Sequence, residues 1–212
     1  MLGAAVAGLL LGLSLAAPPG PMNAVIAEES VARGFRSGVS AGLGAMSADA
    51  CFLGLAWVGA ATVLRDAPRL QGAILGIGGL LLLAFAFDAV RDVRGFTDGS
   101  DSTDGRGFTK AFVLALTNPF QLLWWLTVGV ALLDPGRVTV EFGPLATTIA
   151  TGTPVIVLGF FAGIGLWITA FPLALIGIGR RIDGFAPLVA AASALVLAGF
   201  GLTFLYRAAG LL

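Results

Sequence analysis

Asp49 lies in the stretch LGAMSADACFLGLAW, whose other residues are almost all apolar or small. It stands 11 residues past Gly38, where its apolar segment begins. At about 1.5 Å per helical residue that is roughly 16 Å into a bilayer, near the midplane. An aspartate at the centre of a membrane helix costs about 2.5–3.5 kcal/mol, so such a group is read first as functional. A carboxylate there suits reversible protonation or pairing with an ammonium group. The competing reading is a structural hydrogen bond to Ser47, Asn23 or backbone. The chain has no histidine and a single cysteine, Cys51. Proton exchange near neutral pH therefore falls to carboxylates, and no intrachain disulfide is available.

The second constellation is a run of helix breakers, Pro18-Pro19-Gly20-Pro21-Met22-Asn23. Each interior proline costs a helix about 3 kcal/mol, through a lost donor and a clash with the carbonyl four residues back. In hydrocarbon the freed backbone groups need partners in protein or in a water-filled cavity. A helix restarting near Asn23 would aim unpaired N–H groups and a positive dipole end inward, which suits a carboxylate. Asn23 supplies both a donor and an acceptor. Asn118-Pro119 repeats the theme, and Pro119 is expected to free the carbonyl of Ala115. Pro19, Gly20, Pro21, Asn23, Asn118 and Pro119 are thus the candidate binding residues, with Asp49 for coupling. Ser47, Gln121, Trp125 and Trp167 are candidates to line the cavity; core packing is the competing reading for Trp124, Trp125 and Trp167.

The surrounding chain fixes what must position these groups. Of 212 residues, 58% are hydrophobic and 11% charged, with a mean hydropathy of +0.97. That is well above the apolar share, about 45–50%, of a soluble domain. A span needs about 20 mostly apolar residues. Six segments qualify, at residues 2–27, 38–64, 70–90, 108–133, 152–177 and 187–206. The start lacks the basic stretch of a signal peptide and reads as the first span. The fold class expected is therefore an all-α, six-helix, single-domain membrane protein. Residues 91–110, rich in Gly, Ser and Asp, are expected to form a flexible polar loop.

Loops after the first, third and fifth spans carry eight of the 12 basic residues, and the other side carries four. By the positive-inside bias both termini are expected outside. Six spans divide into three plus three, which inverts the second half relative to the first, as in many secondary transporters. Breaks in spans one and four fit that layout. Both breaks, however, fall in the same half of the membrane. Either the register differs between halves or the two breaks serve one site. Asp88 is expected to pair with Arg91 at i+3. Glu28 and Glu29, beside Arg33 and Arg36, read as a solvated rim. Gly72, Gly76 and Gly79 permit close helix approach within a chain or in a homo-oligomer.

The stretch Pro18–Ala60 resembles the opening of the LysE/RhtB-type amino-acid exporters. It has Pro19-Gly20-Pro21-Met22-Asn23, then Arg33-Gly34 with Arg36, then a Gly-rich helix carrying Asp49. KAFVLALTNPFQLLWWLTVG, residues 110–129, resembles the second landmark of that family. Ala48 precedes Asp49 where the family commonly has glycine, and Glu28-Glu29 replaces a more neutral stretch. The resemblance implies ion- or proton-coupled export of amino acids or related zwitterionic metabolites across a prokaryotic plasma membrane. It implies no enzymatic activity and no cofactor. The partners implied are a small-molecule substrate and the bilayer; the zero net charge gives no sign of nucleic acid. The alternative is an exporter of inorganic cations on the same scaffold. No resident metal is expected, because soft ligands are scarce. An aspartyl protease dyad is disfavoured because Asp49 and Asp88 fall at different depths.

Overall fold

The computed structural model describes residues 1–58, 68–98, 106–142 and 145–211. Helix α1 (Leu2–Ala16) is apolar all round and ends where Pro18 and Pro19 forbid continuation. Helix α2 (Pro21–Arg33) restarts with Pro21 in its first turn, where a missing N–H is harmless. It leaves α1 at 81°. Gly34, at φ 88°, then turns the chain directly into α3 (Phe35–Trp57). That left-handed value is the reason a glycine stands there.

Helix α4 (Pro68–Asp98) outruns the 70–90 segment by two turns. Residues 91–98 carry no proline, so the helix continues past its apolar stretch. Helix α5 begins at Gly107. The flexible loop expected over 91–110 is thus corrected at both ends, and its remainder, 99–105, lies outside the described residues. So do residues 59–64 of the second expected span.

The segment 107–133 is helical in pieces. Helix α5 (Gly107–Leu116) stops before Pro119, and α6 (Pro119–Trp124) starts on it. A π-helical turn, Trp125–Gly129, leads into α7 (Val130–Leu133). An antiparallel hairpin follows, β1 (Gly136–Phe142) and β2 (Leu145–Thr151), with Gly136 opposite Thr151 and Phe142 opposite Leu145. This hairpin is a short addition to a chain that is otherwise helical over its described residues, as the all-α expectation has it. Its signal was present in the alternation of Arg137-Val138-Thr139-Val140-Glu141-Phe142. Helices α8 (Pro154–Gly179) and α9 (Phe185–Ala209) complete the chain.

Four helices, α3, α4, α8 and α9, are each long and apolar enough to cross a bilayer, and the bent pair α1–α2 passes the same test as a unit. Outward stripes of exposed apolar side chains run along them: Leu2, Val6 and Leu10 on α1, Leu158, Leu166 and Leu173 on α8, and Leu188, Leu195 and Leu202 on α9. Faces of this extent suit lipid, not water. Inside, helices approach through glycine. A Cβ at Gly8 or Gly12 of α1 would overlap backbone of Ile156 or Phe160 on α8, and one at Gly159 or Gly163 would overlap Ala5 or Leu9 on α1. Rising numbers on both helices make this pair parallel. Helices α4 and α9 cross antiparallel where Gly79 meets Gly201. That contact is within one chain. Helix α3 meets the 107–133 segment first where Gly44 lies against the Phe108 backbone and then where Asp49 meets Gln121, so the two run parallel.

Candidate functional site

Both helix breaks open onto one cavity of about 380 Å³. That volume is within the range of small-molecule sites, about 300–1,000 Å³. Pro18, Pro19, Gly20, Pro21 and Asn23 line it from the first break, and Asn118, Phe120 and Gln121 from the second. Asp49 and Ala45 face it from α3, Ile164, Trp167 and Ile168 from α8, and Phe200 from α9. The two breaks thus face one shared cavity.

Asp49 is held by the second broken segment. Its Oδ1 accepts from Gln121 Nε2 at 2.7 Å and from Trp125 Nε1 at 2.8 Å. Gln121 and Trp125 are one helical turn apart, so both donors fall on the face toward α3. Trp125 is fully buried. Its indole sits over Gly129, where a Cβ would strike the ring, and edge-on to Phe160 at 5.5 Å. The glycine in the π turn thus makes room for the donor that fixes Asp49. π-Helical turns inside α-helices are frequent at functional sites for this kind of re-aiming. Both described bonds fall on Oδ1, and the partners are neither Ser47 nor Asn23. No arginine or lysine is among the residues lining the cavity.

Asn23 closes the first break. Its Nδ2 donates to Ala16 O at 2.7 Å and to Pro18 O at 2.8 Å, two carbonyls near the end of α1. Its Oδ1 accepts from Trp167 Nε1 at 2.9 Å. Backbone carbonyls at the break thus find a partner in protein, because the asparagine amide reaches back across the bend. No side chain caps the N terminus of α2, where Gly20 is extended. Trp167 is stacked on Phe171 at 5.1 Å, which orients its N–H toward Asn23.

At the second break Asn118 is an N-cap: its Oδ1 accepts from Phe120 N at 3.0 Å. The Ala115 carbonyl is not left free either, since Asn118 N donates to it at 3.2 Å. Pro119 contributes the helix start.

Among the other candidates, Ser47 donates to Leu43 O at 2.8 Å along its own helix and does not line the cavity. Trp125 also lies behind the wall, while Trp124 and Trp167 are on it. Ile164, Ile168, Phe120 and Phe200 were not singled out by sequence; Phe120 meets Phe200 edge-on at 5.8 Å. The solvated rim is corrected too. Glu28 and Glu29 are 4% and 0% exposed. Glu29 pairs with Arg33 at 2.8 Å and accepts from Ser37 Oγ at 2.5 Å. Asp88 has Lys110 at 3.9 Å, and its expected pairing with Arg91 lies outside the described side chains.

A family model described as LysE type translocator matches residues 13–208. The chain is 31% identical over 127 residues to a Bacillus subtilis protein named "Putative amino acid efflux protein YcgF", covering 57% of this chain and 59% of that one. It is 30% identical over 138 residues to proteins named "Leucine efflux protein" from Salmonella choleraesuis and Salmonella typhimurium, covering 62% of this chain and 65% of each. The matches thus span less than two thirds of these relatives' length. No solved structure matches the chain. On the extent of the family match, the chain is a member of the LysE type translocator family.

Proposed function

We propose that the protein is a secondary exporter of amino acids or related small zwitterions, coupled to an ion or proton gradient. The observation that carries this reading is the single cavity that joins two broken helices to one buried carboxylate. In this reading the substrate carboxylate rests at the uncapped N terminus of α2, where backbone N–H groups and the helix dipole favour an anion. The substrate ammonium lies near Asp49, whose Oδ1 is already tied down by Gln121 and Trp125. Asp49 alternates between pairing with substrate and carrying the coupling proton. Ile26, Ala45, Ile164 and Ile168 receive an apolar side chain. The relatives named for amino acid and leucine efflux support that substrate class.

The architecture proposed for this work is six spans in two inverted halves: α1–α2, α3 and α4, then the 107–133 segment, α8 and α9. Exchanging first with fourth, second with fifth and third with sixth turns the α1–α8 packing into the α3–α5 packing and leaves α4–α9 unchanged. Among the described residues those are the three most extensive helix pairings, and their directions agree with such an exchange. Two cross-half bonds match in the same way, Trp167 to Asn23 and Gln121 to Asp49. Rocking of the halves about the cavity gives alternating access. The basic-residue bias favours termini outside.

The test is efflux from cells preloaded with a panel of amino acids. Faster loss of one or a few of them in cells expressing the protein, abolished by Asp49→Asn at equal membrane expression, is the expected result. No change for any amino acid overturns the substrate class.

A further inference from the structure

Three of the segments that line the cavity also meet at a buried cluster of charges. On α2 the cavity residues Met22, Asn23 and Ile26 continue over the next two turns to Glu29, Ser30 and Arg33. On α3 the cavity residues Asp49 and Ala45 lead back in four-residue steps to Ala41 and Ser37. Along the second broken segment Gln121 and Asn118 lead back through Leu114 and Ala111 to Lys110 and Gly107. These spacings keep the α2 and α3 series each on one helix face, and likewise Gly107, Ala111 and Leu114 within α5. Eight residues separate Ala45 from Ser37, about 12 Å along the helix.

At the far end the series close on one another through charge. Glu29 takes Arg33 on one oxygen and Ser37 on the other, and its carboxylate lies against Gly107, with no room for a Cβ. Lys110, the only lysine of the chain, reaches Glu28 at 4.0 Å and Asp88 at 3.9 Å, over the ring of Phe85. Along α3 and α5, the residues between the cluster positions and the cavity positions include Ala41, Ala111, Leu114 and Ala115, all buried. A charged group this buried is costly unless it is paired, and apolar side chains would join these helices at less cost. The arrangement is explained if the cluster is sometimes open to water.

We infer that Glu28, Glu29, Arg33 and Lys110 form an ionic gate across the route from the cavity to this end of the bundle. The closed gate ties α2 to α3 and α5, and its parting exposes the Ala41–Ala111 layer. These are positioning residues and touch no substrate. The inference rests on the transport reading but not on the identity of the cargo.

The test is cysteine accessibility in a Cys51→Ser background, with a membrane-impermeant methanethiosulfonate on sealed vesicles of both orientations. Ala111→Cys and, separately, Ala41→Cys are expected to resist labelling while the gate is intact. Adding Glu28→Gln with Lys110→Met is expected to raise labelling at least tenfold from one side only. Lys110→Arg, which keeps a cation beside both Glu28 and Asp88, should retain protection where Lys110→Met loses it. Asp88→Asn, at the exposed edge, is the milder opening for use if the double variant does not fold. Unchanged protection in a folded open-gate variant, or equal labelling from both sides, overturns the gate. Gated labelling without amino-acid efflux would instead retain the gate and reject the cargo.

Discussion

Replacing Asn23 by aspartate keeps the size of the side chain and the acceptor for Trp167 but removes both donors. The two bonds lost run to Ala16 O at 2.7 Å and Pro18 O at 2.8 Å. A carboxylate would face two carbonyl oxygens across the bend. Each part-buried hydrogen bond is worth about 0.5–1.5 kcal/mol, so the two lost come to roughly 1–3 kcal/mol. For a chain of this size that lowers a thermal midpoint by roughly 2–12 °C. Trp167→Phe removes one bond, the 2.9 Å contact to Asn23 Oδ1, while keeping the ring on Phe171. Its cost should be about half as large, near 0.5–1.5 kcal/mol. The assay is a thermal-stability series in detergent by size-exclusion chromatography, with efflux measured in parallel. The ranking expected is wild type, then Trp167→Phe, then Asn23→Asp. Asn23→Asp with wild-type stability and full efflux would refute the reading of Asn23 as the clip that closes the first break.

Gly12→Val should disrupt the α1–α8 contact and reduce folded protein in the membrane severalfold, because the new Cβ falls on the Phe160 carbonyl. Gly177→Ala, in open space on the same α8, should be neutral or stabilise by up to about 1 kcal/mol; quantitative blotting of membranes separates the two outcomes. Gly129→Ala should push the Trp125 indole off Asp49. Losing a hydrogen bond to a charged group is worth about 1.5–3 kcal/mol, so transport should fall roughly tenfold or more with expression kept.

The parts of the site legible in the sequence are those whose residue types are expensive in a bilayer. Asp49, the Pro18–Asn23 run and Asn118-Pro119 stand out because a charge or a broken helix at depth needs a reason. How they are satisfied was not legible. Asn23 is spent on Ala16 and Pro18 because α2 turns back by 81°, an angle that residue types do not encode. Ile164, Ile168 and Phe200 look the same in sequence whether they face lipid, core or cavity. Glu28 and Glu29 sit at a helix end, where solvation is the ordinary outcome; they are buried because Gly107 and Lys110 close over them. The β1–β2 hairpin carried a period-two signal, overshadowed by the strongly helical segments on either side.

In the proposed cycle Asp49 couples a gradient to substrate movement through the cavity. The deciding assay uses purified protein in liposomes loaded with radiolabelled leucine, followed with and without an imposed pH gradient. Gradient-accelerated efflux is expected for the wild type. For Asp49→Asn the gradient response is expected to be lost, with the variant still folded and in the membrane. An Asp49→Asn protein that responds to the gradient as the wild type does would contradict it.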